Sequence, residues 1–264
     1  MNYETVVYEK TNRIIKVTMN RPNVLNAINR KAIAELRSAF EEAARDDEVR
    51  VVILTGMGRG FSTGHDLKEG IAGPEDGRKL HTEIWNLMFA IWDMGKPVIA
   101  QINGHCLGIA CDLALACDLS IAADVATFGE PEIRASSGSE FPLLPWVVGM
   151  KKAKELILTG DTIDAKEAER IGMVNRVVPL DQLEEETGKL AKKLANVPAF
   201  ALKVNKATIN RAFEMMGMRN AMAHSLEGVS LLIVTDTEER KKFREIRSDK
   251  GLKAALEWRD SLFK

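Results

Sequence analysis

The sequence is short of several things, and each shortage excludes something. It holds only three cysteines in 264 residues, Cys106, Cys111 and Cys117, all within one apolar stretch. Their number is odd and no C-x-x-C spacing occurs, which argues against a disulfide framework and a zinc site. They read as reduced core thiols of a cytoplasmic protein. No run of about 18 apolar residues is present, so no membrane span is expected. Met1-Asn2-Tyr3-Glu4 offers neither a basic n-region nor an apolar h-region, so no signal peptide is expected. Net charge is −1, which gives no electrostatic footprint for nucleic acid or an anionic membrane surface. There is no internal repeat and no low-complexity segment. What remains, 45% hydrophobic and 28% charged, is the composition of an ordinary globular chain, of a length that fits one large domain, or one core domain with a helical appendage.

The pattern along the chain is β-rich and mixed first, and helical afterwards. Residues 5–8 and 14–19 alternate and are β-branched around a polar turn, which predicts a hairpin. Asn29 caps a helix over 30–45, where Ile33, Leu36, Phe40 and Ala44 recur at helical spacing. Residues 49–55 read as a buried strand, 56–60 as a glycine loop, and 70–77 as a mobile Gly- and Pro-containing loop. A helix follows to about residue 94, and then a strand over 95–100. Further strands are predicted at 120–123, 126–129 and 174–178. Helices are predicted at 141–148, 151–159 and 165–171. From residue 183 everything reads as helix: 183–195, 199–212, 218–233, 238–246 and 252–263. This order predicts an α/β core over residues 1–195 and a helical region over 196–264.

The chain is organised around residues 101–121. A buried strand runs into Gly104 and Gly108, and a short apolar helix opens at Ile109 with one charge inside it, Asp112. A strand, a glycine turn and a helix start bring free N–H groups and the positive end of a helix dipole to one point, which suits a developing oxyanion. Buried charges are costly, so Asp112 needs a reason. A second loop, Gly60-Phe61-Ser62-Thr63-Gly64, fits the G-x-S-x-G pattern of a nucleophile elbow. That reading is rejected because a glycine loop stands where the strand should be, and neither His105 nor His224 has a supporting context. The loop's other use is its backbone: a turn at Gly64 exposes the N–H of His65, a second donor beside that of Ile109. Glu132 follows a short strand and Pro131, at a strand end where α/β sites lie, with Glu130 and Glu140 nearby.

Taken together, the segments resemble the enoyl-CoA hydratase/isomerase (crotonase) superfamily along nearly the full chain. They are Asn20-Arg21-Pro22 with Leu25-Asn26-Ala27, residues 61–69, Lys96-Pro97-Val98-Ile99-Ala100 into Asn103-Gly104, Ala116-Cys117-Asp118, Phe128-Gly129-Glu130-Pro131-Glu132, and Leu158-Thr159-Gly160. The resemblance implies an α/β fold, a crotonase-like spiral of ββα repeats followed by a C-terminal helical region that builds a homotrimer or homohexamer. It implies an acyl-CoA thioester as substrate, with coenzyme A as part of that substrate and no separate cofactor or metal. It places an oxyanion hole at the N–H groups of His65 and Ile109. CoA contacts fall at Asn26, Ala27, Ser62, Thr63, Gly64, Asp66, Leu67, Lys68 and Gly108, and catalytic carboxylates at Asp112 and Glu132.

Three departures stand out. Gly108-Ile109-Ala110 replaces a longer glycine run. Asp112 stands where a glutamate is expected, and residues 134–140 replace a glycine-rich loop. The function implied is hydration of the 2,3 double bond of a 2-enoyl-CoA. The alternatives are a dienoyl- or enoyl-CoA isomerase using Asp112, Glu132 and Glu140, or a catalytically silent acyl-CoA-binding scaffold. Decarboxylase and thioesterase chemistry share the same oxyanion hole.

Overall fold

In a computed structural model, which describes residues 3–139 and 141–263, two sheets run through the core in step. The larger has the order β1-β2-β3-β5-β7-β10, and the smaller β4-β6-β8-β9. β1 (Val6–Thr11) and β2 (Ile14–Met19) form the antiparallel hairpin. β3 (Val51–Gly56), β5 (Val98–Ile102), β7 (Leu119–Ala123) and β10 (Arg176–Val178) extend it in parallel. The short strands β4 (Gly60–Ser62), β6 (His105–Leu107) and β8 (Thr127–Gly129) are also parallel, and β9 (Thr162–Asp164) runs antiparallel to β8.

Each of β3, β5 and β7 leads directly into a strand of the smaller sheet, and β4 and β6 then lead to α2 (Pro74–Trp92) and α3 (Ile109–Ala116). After β8 the chain forms a 3-10 turn over Pro131–Ala135. This is the spiral of ββα repeats. Of the smaller sheet's strands, β8 falls within the strand predicted at 126–129, while β4, β6 and β9 were not predicted as strands. Each has three residues, too few to show a period of two, and each is specified by a neighbour tens of residues away.

β3 and β5 are buried along their whole length because both faces are covered. Val52 and Leu54 point into the main core with Leu36 and Phe40 of α1 (Arg30–Arg45). Val51 and Ile53 point the other way, onto Ala191 and Ala195 of α7 (Leu183–Ala195). α1 begins where its cap dictates: the Asn29 side chain accepts from Ala32 N–H at 2.9 Å.

α2 starts at Pro74, inside the segment read as a mobile loop. Proline at the first helical position is a start signal, and Glu75 and Asp76 complement the dipole there. α4 (Leu144–Val148) is shorter than predicted; Phe141 and Pro142 lie outside it. α5 (Met150–Thr159) and α6 (Ala165–Arg170) follow, the latter capped by Asp164.

Beyond α7 come α8 (Ala199–Met215), α9 (Met218–Val234) and α10 (Glu238–Ser261). α10 is broken at Gly251, near where two separate helices were predicted to meet. These helices are tied to the core. Lys206 of α8 is buried; its Nζ donates to Ile91 C=O (3.0 Å), to Lys96 C=O (3.2 Å) and to the Asp118 carboxylate (2.7 Å). α9 packs on α2, and α10 on the turn Pro131–Ala135.

Candidate active site

Two glycine turns touch and create the site. Gly64 has φ +86, and a Cβ there would stand 2.6 Å from Leu107 C=O and 3.5 Å from Gly108 Cα. Gly108 has φ +58, and a Cβ there would overlap Glu132 Oε1 and stand 3.0 Å from Glu132 Cδ. Only glycine satisfies both the backbone and the space at these two points. The 62–64 turn therefore rests on residues 107–108, and the Glu132 carboxyl rests on Gly108.

Each glycine is followed by an N–H that no backbone acceptor uses among the described residues. Ile28 N–H donates to Gly64 C=O (2.8 Å) and Asp66 N–H donates to Ile28 C=O (2.9 Å). This parallel pairing turns the N–H of the intervening His65 to the opposite side. Ile109 opens α3, where the first N–H groups have no intrahelical partner. Gly108 N–H, by contrast, is held by Gly129 C=O at 2.9 Å. The β-branched side chain of Ile109 is accommodated by burial in the core.

Glu132 lies in the 3-10 turn, and its Oε2 is fully enclosed. Burial pushes its pKa up to about 7. Its own backbone N–H, a hydrogen bond with the buried Glu130 carboxyl, and Arg259 of α10 pull in the other direction. A carboxyl that titrates near neutrality can both give and take a proton.

Asp112 is buried in the first turn of α3. Ser139 Oγ donates to its two oxygens at 2.8 and 3.1 Å, and Phe141 N–H donates at 3.3 Å. Its own N–H reaches Gly108 C=O at 3.4 Å. Glu132 and Asp112 thus both meet Gly108, one through its carboxyl and the other through its backbone. Glu140 lies outside the described residues.

This constellation, two free N–H groups against a neutral-range carboxyl, occurs in a chain whose residues 9–264 match the family model for enoyl-CoA hydratase/isomerase. The chain belongs to the enoyl-CoA hydratase/isomerase family. A probable enoyl-CoA hydratase of Mycobacterium tuberculosis is 39% identical over 219 residues, 81% of this chain and 84% of that protein. A short-chain-enoyl-CoA hydratase of Clostridium acetobutylicum is 35% identical over 261 residues, 96% of this chain and 99% of that one. The crystal structure of an enoyl-CoA hydratase/isomerase from Xanthobacter autotrophicus Py2 superposes with a TM-score of 0.97 at 38% identity, covering 100% of both chains.

In this member of the family, the residues expected along the CoA arm divide into two groups. The Asn26 amide is buried and bridges loops, donating to Met57 C=O (2.9 Å) and Gly60 C=O (2.8 Å) and accepting from Arg21 N–H (2.9 Å). Asp66 pairs with Arg21 at 2.8 Å and accepts from Lys68 N–H at 3.0 Å. Ser62 is fully buried; its hydroxyl donates to Asn26 C=O (2.8 Å) and accepts from Gly64 N–H (3.1 Å). These three side chains build the loop. Ala27 and Thr63 are half-buried, and Leu67 and Lys68 are exposed.

A strand, β4, does lead straight into Ser62, contrary to the ground on which the nucleophile elbow was set aside. The elbow still fails, because no helix follows and the hydroxyl is committed to the backbone. Burial lowers the pKa of the His65 imidazole, with Glu69 and Asp66 opposing. The three cysteines are free and buried. Glu130 was read only as a carboxylate near Glu132, and Ser139 was not read as a site residue; no local signal marks Ser139, whose carboxylate partner lies 27 residues earlier. Among the described residues no helix is long and apolar enough to cross a membrane.

Proposed function

We propose that the protein is an enoyl-CoA hydratase, adding water across the 2,3 double bond of a 2-enoyl-CoA. The observation that carries this reading is the Glu132 carboxyl, raised to about 7 and packed on Gly108 beside two unused N–H groups. The thioester oxygen is received by the N–H groups of His65 and Ile109. As water attacks C3, charge moves through the double bond to that oxygen, where preorganised donors are most effective. Glu132 delivers its proton to C2. Asp112, held by Ser139, orients the water and accepts the proton it loses. No cofactor beyond the CoA carried by the substrate is needed. The hydratase names of relatives at 32–39% identity support the same reading.

We also take the protein to be a homotrimer or homohexamer. Phe200, Ile209, Met215 and Leu231 stand exposed on the C-terminal helices and support that assignment.

The test is the ultraviolet absorbance of crotonyl-CoA with wild type and Glu132→Gln. Loss of the enoyl-thioester band with wild type, abolished by the substitution, is the expected result. Persistence of turnover in Glu132→Gln overturns the role of that residue. A new conjugated-diene band from 3,5-dienoyl-CoA, with no loss of the crotonyl band, replaces hydration by isomerisation.

A further inference from the structure

Asp112 has a short side chain whose two torsions must hold a carboxylate in one plane. The chain supplies the restraint from the segment after Glu132. Ser139 Oγ reaches both oxygens, at 2.8 and 3.1 Å, and so holds the end of the carboxylate, while a second donor on one oxygen alone sets its rotation about the Cβ–Cγ bond. That donor is Phe141 N–H, at 3.3 Å. Ser139 is itself held from outside the core: Ser225 Oγ of α9 donates to its C=O at 2.9 Å. The flanking residues are held the same way. Ser136 Oγ and Thr237 Oγ1 lie 3.2 Å apart, and Gly138 packs beside Val229 and Leu232. The C-terminal helices thus grip the segment that grips Asp112.

We propose that Ser139 is a positioning residue for Asp112, and that α9 sets its place through Ser225. This rests on the hydration reading, in which Asp112 orients the attacking water. A carboxylate free to rotate presents the wrong lone pair to that water while leaving the acyl-CoA contacts intact. The effect therefore falls on kcat and spares KM.

The experiment compares Ser139→Ala and Ser139→Thr on crotonyl-CoA. Ser139→Ala is expected to lower kcat about tenfold or more with KM within about twofold, and Ser139→Thr, which keeps the hydroxyl, to restore most of it. A second arm uses length. Asp112→Glu advances the carboxylate by about one bond length, onto Ser139 Oγ, and Ser139→Gly opens that space. The double variant is expected to exceed Asp112→Glu in kcat.

A kcat for Ser139→Ala within about threefold of wild type, an equal loss in Ser139→Thr, or a double variant no better than Asp112→Glu overturns the proposal. A wild type inert on enoyl-CoA removes the hydration reading instead. The proposal is then read by thermal unfolding: Ser139→Ala adds no loss of Tm to Asp112→Asn if the two side chains act as a unit, and adds its full loss if they do not.

Discussion

Replacing Gly108 by alanine tests the site where it is tightest. The new Cβ would overlap Glu132 Oε1 and approach Cδ to 3.0 Å, inside ordinary contact distance. The carboxyl must move by about 1 Å or more, and misplacement of that size costs on the order of 10²-fold in rate. The fold suffers much less. An alanine at φ +58, ψ −135, an extended mirror-image conformation that glycine alone enters readily, costs about 1–3 kcal/mol, which for a chain of this length lowers Tm by roughly 2–12 °C. The assay is the decay of the crotonyl-CoA absorbance, run beside thermal unfolding and circular dichroism. The expected variant is folded, slightly less stable and about a hundredfold slower in kcat/KM. A folded Gly108→Ala enzyme within about threefold of wild type would refute the reasoning, because the carboxyl would then be acting from somewhere other than Gly108.

Other outcomes follow from the same geometry. Glu132 has a folded pKa of about 7, above its ordinary 4.5. The native state therefore holds this proton more tightly than the unfolded chain, and stability falls as pH rises through 7. Glu132→Gln removes that term, so its Tm should exceed that of wild type at pH 8 and the gap should close toward pH 5; a constant gap in calorimetry counts against the raised pKa. If Glu132 is the proton donor, kcat/KM falls as pH rises past about 7, and a stopped-flow profile flat from pH 6 to 9 opposes that role. Lys206→Met leaves the mostly buried Asp118 carboxylate without its cation and is expected to cost roughly 3–5 kcal/mol in urea unfolding; a loss below about 1 kcal/mol would place the pair among weak surface bridges. On the proposed reading the backbone N–H of His65 is the working group, so His65→Ala should lower kcat/KM by less than about tenfold and Gly64→Ala by more; the reverse order would assign the work to the imidazole.

How much of this could be read in advance depended on whether a feature was local. α1 begins and ends where Asn29 and the apolar spacing put it, because cap and stripe lie within one segment. The buried runs of β3 and β5 announce strands covered on both faces. β4, β6 and β9 do not announce themselves, since three residues carry no period and their pairing is non-local. Proline and glycine before α2 suggested a loop where Pro74 is a helix start.

At the site, Gly64 and Gly108 were legible as turns, and Asp112 as a charge in an apolar helix. Glu132 was preferred to Glu130 for its place at a strand end after Pro131, and the resemblance agreed; what distinguishes the two physically is packing on Gly108, visible only in three dimensions. Ser139 gave no signal, because its partner stands 27 residues earlier and its support 86 residues later.

The Lys206 anchor bears on how the molecule comes apart. Its ammonium joins one carboxylate of the core to carbonyl groups at the end of α2 and the start of β5. Withdrawing α8 would leave the partly buried Asp118 carboxylate without its cation and uncover two carbonyls in the same event. The helical region and the spiral core are therefore expected to melt together. A chain cut after Ala195 is not a smaller version of this protein but one with an unanswered charge at the end of α3, and the intact chain should lose its structure in a single cooperative transition.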